Sequence, residues 1–278
     1  MKKNSKLEPK HLLPVMIEAA EKGGKILRKY WEKKETAKIR GTSALQITEK
    51  AGDAGLVTLA DFESEKACVR ILKSAIHDFG FLTEEGTEKH AASGKLGRWI
   101  LDPLDGTTNF VHGFPMFCVS LAAEMQGEVV AGVIYHPILG DLYTAVKGKG
   151  AFLNGRRMKV SLTRKLTDSL LSTGFTYRKS ELLIKEMGSF QSLSKVARAV
   201  RRPGSAALDL AYVARGVFDG FWERQLSPWD VAAGAIIVEE AGGRVTDFKG
   251  KPFRIDQPSI LASNGILHGD IMKRLPKV

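Results

Sequence analysis

Twelve consecutive residues concentrate the chemistry of this chain: Trp99-Ile100-Leu101-Asp102-Pro103-Leu104-Asp105-Gly106-Thr107-Thr108-Asn109-Phe110. The apolar start reads as a buried strand. It runs into two carboxylates three residues apart, then into Gly-Thr-Thr. Carboxylates at the end of a buried strand are costly unless positive charge sits among them. A hard divalent cation bound through oxygen meets that need, and Mg2+ typically takes a few carboxylates plus water and substrate phosphate. The backbone N–H groups and hydroxyl of the Gly-Thr-Thr are suited to dock a phosphate. Asp, Pro and Gly also favour plain turns, but a turn gives no reason for two acids directly after Trp-Ile-Leu.

Further acids fall at predicted element ends. Asp61 opens a helix, Glu84 follows a short strand and Asp230 opens a helix beside Trp229. Taken singly, Asp61 and Asp230 read as helix caps or dipole partners, and Glu84-Glu85 as a solvated turn. Taken together with Asp102 and Asp105 they have a common logic. Phosphate ester hydrolysis needs a water made nucleophilic and a leaving alkoxide stabilised, and two metals roughly 3.5–4 Å apart do both. Such a site requires three or four carboxylates from different elements. The Walker-type and kinase-type phosphoryl-transfer motifs are absent. His112 and His136 show no metal-binding spacing, and Ser205 lacks the Gly-x-Ser-x-Gly context of a serine nucleophile. Trp99, Trp222 and Trp229 read as core.

Periodicity supplies the elements that must carry these acids. Helices are predicted over His11–Trp31, Asp61–Phe79, Glu181–Val200, Ser205–Arg215, Trp229–Ala241 and Ile266–Leu275. Pro203-Gly204-Ser205 is a good helix start with a possible phosphate-facing N-terminus. Strands are predicted over Phe79–Thr83, Arg98–Leu101, Asp168–Thr173, Val217–Trp222, Arg244–Asp247 and Ile260–Ala262. Phe117–Met125, Val129–Tyr135 and Asp141–Val146 form an antiparallel meander. Lys33–Gly55 reads as a loop or irregular hairpin, and Thr87–Gly97 as a surface loop. Helices early and late around a block of strands suggest layered α and β structure in one unit.

At 278 residues and 44% hydrophobic, the chain can bury a large core. Cys68 and Cys118 match no metal spacing, and a reduced, cytoplasmic protein is the simpler reading. The basic start, Met1 to Lys10, precedes no apolar segment like that of a signal peptide. No apolar run approaches the ~20 residues of a transmembrane helix. The formal net charge is +11, but it is scattered over pairs such as Lys33/Lys34 and Arg201/Arg202. No basic helix interleaved with aromatics and no nucleic-acid motif is present. A basic surface suited to anionic substrates is the plain reading.

The residues resemble the inositol monophosphatase family. Asp102 to Phe110 is similar to the family's first motif nearly letter for letter. Trp229-Asp230-Val231-Ala232-Ala233-Gly234, followed by Glu240-Ala241-Gly242-Gly243, resembles the second. Val57-Thr58-Leu59-Ala60-Asp61 and Glu84-Glu85 fall where the family places its remaining acids. The likeness runs from about residue 10 to about residue 275. It implies an αβαβα sandwich, the inositol monophosphatase/fructose bisphosphatase-like fold. Residues 1–278 would form a single catalytic unit, with a metal-binding half to about residue 165 and a substrate-side half after it.

The resemblance also implies a Mg2+-dependent phosphomonoesterase with two to three ions, lithium-sensitive and homodimeric. Glu84, Asp102 and the Leu104 carbonyl would hold the first ion. Asp102, Asp105 and Asp230 would hold the second, and Glu84 with waters a weaker third. Thr107, oriented by Asp61, would help activate the attacking water. Backbone N–H groups of Gly106 and Thr107 would bind phosphate, and Glu223 the substrate's hydroxyls. Gly204-Ser205-Ala206 matches the family's substrate-side helix start. The chain departs from the family pattern at Thr83, often Gly, and at Gly55, near which many members carry an acid. It departs again at Ser227-Pro228, beside the sugar pocket. Thr108-Asn109-Phe110 favours an inositol-type substrate over a nucleotide. Fructose 1,6-bisphosphate is the alternative substrate, and a non-catalytic RNA- or transcription-associated regulator is the alternative class.

Overall fold

The polar segment after Trp31 continues the first helix instead of leaving it. In the computed structural model, which describes residues 8–39, 47–49, 56–86, 94–175 and 181–275, α1 spans Leu13–Ile39. Glu32 to Lys38 contains no glycine or proline and consists mostly of good helix formers, so polarity alone does not end it. A short turn of 3-10 helix, Pro9–His11, precedes α1. A two-stranded hairpin follows, β1 (Ile47–Glu49) with β2 (Leu56–Thr58). Then comes α2 (Leu59–Ala75), capped by Thr58. The hairpin agrees with the expected irregular segment. Gly55 and most of the loop expected over Thr87–Gly97 lie outside the described residues.

Two sheets follow. β3 (Phe79–Thr83), β4 (Gly97–Asp105), then β5 (Cys118–Met125), β6 (Glu128–His136), β7 (Asp141–Val146), β8 (Gly150–Leu153) and β9 (Arg156–Arg157) pair in chain order. The short helix α3 (Thr107–His112) lies between β4 and β5. β3 and β4 are parallel and the rest antiparallel, which includes the expected meander. The second sheet has the order β11 (Ala199–Arg201), β10 (Leu170–Thr173), β12 (Gly220–Arg224), β14 (Ser259–Ser263), β13 (Arg244–Thr246). The remaining helices are α4 (Glu181–Ser194), α5 (Ala206–Ala214), α6 (Pro228–Glu240) and α7 (His268–Met272). The single helix expected over Glu181–Val200 is corrected. It stops at Ser194, and Ala199–Arg201 instead pairs in parallel with β10, a tertiary partner that no local window displays.

Period-two alternation decides the layering. In β4, Trp99 and Leu101 join the core under α1 and α2, while Ile100 joins the core between the sheets. In β12, Phe221 faces the middle and Trp222 the outer core with α4 and α7. Three apolar cores thus join five layers, the middle core enclosing α5/α6: α1/α2, the seven-stranded sheet, α5/α6, the five-stranded sheet, α4/α7. The fold is an αβαβα sandwich. α6 is buried along every residue from Val231 to Val238, as a helix between two sheets must be. Among the described residues, no helix is long and apolar enough to cross a membrane, and Cys68 and Cys118 are both buried and free.

Gly132 on β6 lets α6 approach the sheet. A Cβ there would stand 2.8 Å from the Ala233 carbonyl oxygen and 2.8 Å from the Ile236 side chain. Gly132→Ala is expected to cost about 1–3 kcal/mol, read as a lower urea midpoint with unchanged slope. Gly188→Ala on α4, where an added Cβ meets nothing within 4 Å, should instead stabilise by about 0.5–1 kcal/mol.

Candidate active site

Parallel pairing of β3 with β4 brings the two strand ends to one edge. Thr83 lies beside Leu101, and the Glu84 N–H donates to the Leu101 carbonyl at 3.2 Å. Glu84 therefore leaves β3 where Asp102 and Asp105 end β4, a strand that runs on to Asp105 instead of stopping at Leu101. Residues three apart on a regular strand face opposite sides. Here Asp102 pairs with Ser120 and Asp105 with Cys118, so one extra residue sits between them. This bulge at Pro103-Leu104 resets the parity. Proline is suited to it because it has no N–H to lose. The Ser64 hydroxyl holds the Pro103 carbonyl at 3.0 Å.

Two helix starts complete the cluster. Asp230 is the third residue of α6, and its Oδ2 accepts the Ser227 N–H at 2.6 Å. The Ser120 hydroxyl ties the Trp229 carbonyl to β5 at 3.1 Å. One oxygen from each of Asp102, Asp105 and Asp230 then lies within 4.8 Å of the others. Glu84 is not part of that mutual triad; it joins through a hydrogen bond with Asp102. Asp105 is fixed from the far side by α5: its Oδ2 accepts the Ser205 hydroxyl at 2.6 Å and the Ala207 N–H at 2.8 Å. The α5 N-terminus expected to face phosphate thus directs Ser205 and Ala207 at a carboxylate.

Asp61 closes a helix cap with one oxygen and meets Thr107 with the other. Its Oδ2 accepts the Thr58 N–H at 2.8 Å and the Thr58 hydroxyl at 2.6 Å, closing a capping box at the start of α2. Its Oδ1 accepts the Thr107 hydroxyl at 3.1 Å. That hydroxyl also lies 3.0 Å from the Leu104 carbonyl. Thr107 opens α3 directly after Gly106, whose left-handed backbone (φ 96°) and contact with the Met116 carbonyl leave no room for a side chain.

Glu223 lies within β12, not after a strand ending at Trp222 as expected. Its carboxylate packs against Gly174, where any Cβ would collide with it. Gly204 reaches the site indirectly: Asn109 on α3 donates to the carbonyls of Met116 (2.7 Å), Pro203 (2.8 Å) and Gly204 (3.2 Å). Asp209, Ser64 and Glu65 escaped the sequence reading, and Asn109 entered it only within the Thr108-Asn109-Phe110 motif; its bridge to Pro203 and Gly204 did not. A signal for two of them existed, since Ser64 and Glu65 stand three and four residues after Asp61 and so share its helix face.

Burial dominates the electrostatics. It raises Asp61 to about 6 against the Thr58 hydrogen bonds. It raises Asp105 to about 6 against those from Ser205 and Ala207. Asp102 is pushed well up by burial and then by Glu84, Asp105 and Asp230. Glu223 is raised by burial and by Asp230, and Asp209 by burial and by Glu223. Cys118, 3.9 Å from Asp105, is raised by burial and by the two aspartates. The arrangement brings three carboxylates within reach of one another, which suits a divalent ion.

The chain is similar to known proteins over nearly its whole length. The model of the inositol monophosphatase family matches residues 8–278. An inositol-1-monophosphatase of Mesorhizobium japonicum is 41% identical over 268 residues, 96% of each chain. The Nus factor SuhB of Pasteurella multocida is 39% identical over 239 residues, 86% of each chain. The crystal structure of extragenic suppressor protein suhB from Bartonella henselae superposes with a TM-score of 0.86 at 40% identity, covering 96% of this chain and 99% of that one.

The raised carboxyls fix the pH dependence of the metal-free fold. Asp61 and Asp105 stand at about 6, above an ordinary 3.8. Between those values the folded protein holds protons that the unfolded chain has lost, so stability falls as pH rises through that window. Cation binding requires the ionised forms and acts in the opposite direction. Melting temperature in EDTA should therefore fall from about pH 4 to about pH 6.5, and Mg2+ should restore most at the upper end. A melting temperature in EDTA that climbs across the window would refute this.

Proposed function

Because the chain belongs to the inositol monophosphatase family, we propose that it is a Mg2+-dependent phosphomonoesterase. It hydrolyses myo-inositol monophosphate, or a similar sugar phosphate, to the alcohol and phosphate. The observation that carries this is the Asp102–Asp105–Asp230 group with a threonine hydroxyl held beside it by Asp61. The donors are all carboxylate and carbonyl oxygens, which fit Mg2+ rather than a softer metal.

In this reading Glu84, Asp102 and the Leu104 carbonyl would hold one ion, and Asp102, Asp105 and Asp230 a second; Glu84 would help to hold a weaker third. An ion held by these residues would supply charge neutralisation for the phosphate and activation of the attacking water. Thr107 accepts the water's proton on Oγ1 as its own proton passes to Asp61 Oδ1, 3.1 Å away. Asp61, raised to about 6, is a better base near neutral pH than an ordinary carboxylate. The N–H groups of Gly106 and Thr107 bind the phosphate. Ser205 acts through Asp105 by holding its outer oxygen. Glu223 accepts hydrogen bonds from the sugar's hydroxyls. The working form is a cytoplasmic homodimer of a single catalytic unit, sensitive to lithium.

A second reading is favoured by relatives named Nus factor SuhB and by the net charge of +11. There the chain also binds RNA of the transcription machinery. Salt-sensitive RNA binding that survives Asp102→Asn would support it.

Phosphate release from inositol 1-phosphate, fructose 1,6-bisphosphate, histidinol phosphate and a nucleotide 3′-phosphate, with Mg2+ and with or without Li+, tests the reading. Inositol 1-phosphate is expected to rank first. No release from any of them by folded protein would sink it. Asp102→Asn should abolish turnover while preserving the fold, because it also removes a repulsion; activity within tenfold of wild type would refute the metal assignment. Thr107→Ala should lower kcat by roughly 10²–10⁴-fold with little change in KM. A raised KM at constant kcat would mean that Thr107 only binds. Glu223→Gln should reorder substrate preference more than it changes metal affinity, and equal losses on every substrate would argue against that role.

A further inference from the structure

Glu65 is a fully buried carboxylate on α2 that the proposed chemistry does not use. Burying an acid costs several kcal/mol unless its oxygens are satisfied. The cost is higher here, where Asp61, Glu84, Asp102 and Asp105 already repel one another. An apolar residue would pack there without that penalty, so the acid needs a positive reason.

Its contacts supply one. Glu65 Oε1 accepts the Thr83 hydroxyl at 3.1 Å, and Oε2 accepts the Glu85 N–H at 2.9 Å. Thr83 is the last residue of β3, and Glu85 follows Glu84. One carboxylate thus grips the chain immediately before and immediately after Glu84. The Glu84 N–H itself continues onto the Leu101 carbonyl. With both flanking residues and its own N–H anchored, the Glu84 backbone is fixed where the β3–β4 ladder gives out.

We propose that Glu65 is a positioning residue that presents Glu84 to the cation site by clamping Thr83 and Glu85. This rests on the metal-site reading above. It also accounts for the threonine at 83, where a glycine would have no hydroxyl to give. The clamp depends on two acceptor contacts, not on charge. A glutamine fulfils both: its carbonyl accepts the Glu85 N–H, and its amide donates to the Thr83 hydroxyl, which is donor and acceptor alike.

The test is direct Mn2+ binding to the full-length protein without substrate, followed by electron paramagnetic resonance. Mg2+ dependence of turnover and melting in EDTA are measured in parallel. Glu65→Ala is expected to raise the Mn2+ Kd roughly 10- to 100-fold, the range for lost support of a ligand, with kcat largely recovered at saturating Mg2+. Glu65→Gln should stay within about threefold of wild type, and Thr83→Val, which removes one anchor, should fall between. Wild-type affinity in Glu65→Ala, with only a lowered melting temperature, would overturn the proposal. A loss in Glu65→Gln as large as in Glu65→Ala would overturn it too, because charge would then be the cause. Should Glu65→Ala not fold, unchanged affinity in Thr83→Val overturns it alone. A wild type that binds no Mn2+ would instead bring down the metal-site reading itself.

Discussion

Four aspartates crowd one edge of this fold, and each gives an oxygen to a backbone N–H. Asp61 takes that of Thr58, Asp102 that of Leu104, Asp105 that of Ala207 and Asp230 that of Ser227, all at 2.6–2.9 Å. Magnitudes show why this matters. Two charges 4.8 Å apart, the outer limit within the Asp102–Asp105–Asp230 group, repel by roughly 3–4 kcal/mol at an effective dielectric constant of 20. A hydrogen bond to a charged group returns about 1.5–3 kcal/mol. Each N–H therefore offsets about one neighbour's repulsion, and each acid of the group has two. Protonation or a cation must supply the rest, so the site is built to be incomplete without positive charge.

The layers exist to hold that arrangement rigid. Asp61 and Asp230 each sit at the third position of a helix whose start they also cap. Capping leaves each carboxylate a second oxygen, because the helix start needs only one. α6 is clamped between sheets along its length, so Asp230 cannot retreat from Asp102. α5 comes from the second half of the chain, and its first turn grips Asp105 from the first half.

α2 works as a ruler. Asp61, Ser64 and Glu65 lie on one face, all fully buried. They reach Thr107, the Pro103 bulge and the flanks of Glu84 respectively. One helix thereby aligns the hydroxyl beside the site, the strand irregularity that turns Asp102 and Asp105 together, and Glu84.

Much of this was legible in the residues. The acids of the Asp102–Phe110 segment, Asp61, Glu84 and Asp230 were visible as carboxylates at element ends, because a buried strand that finishes in acids is costly without a cation. Strand alternation and two helix-start patterns pointed to layered α and β structure. The bulge was not legible, since parity along β4 depends on its register with β5. β11 was not legible, since only the exposed edge of β10 makes Ala199–Arg201 a strand. Nor were the partners of Glu65, which lie 18 and 20 residues away, although its place on the Asp61 face of α2 was. Sequence by itself determined which residue types stand at the element ends, because local propensity and solvation act within a few residues. Tertiary structure decided which oxygens face one another and which are tied back, because distances between carboxylates follow from register and layer packing across the whole chain.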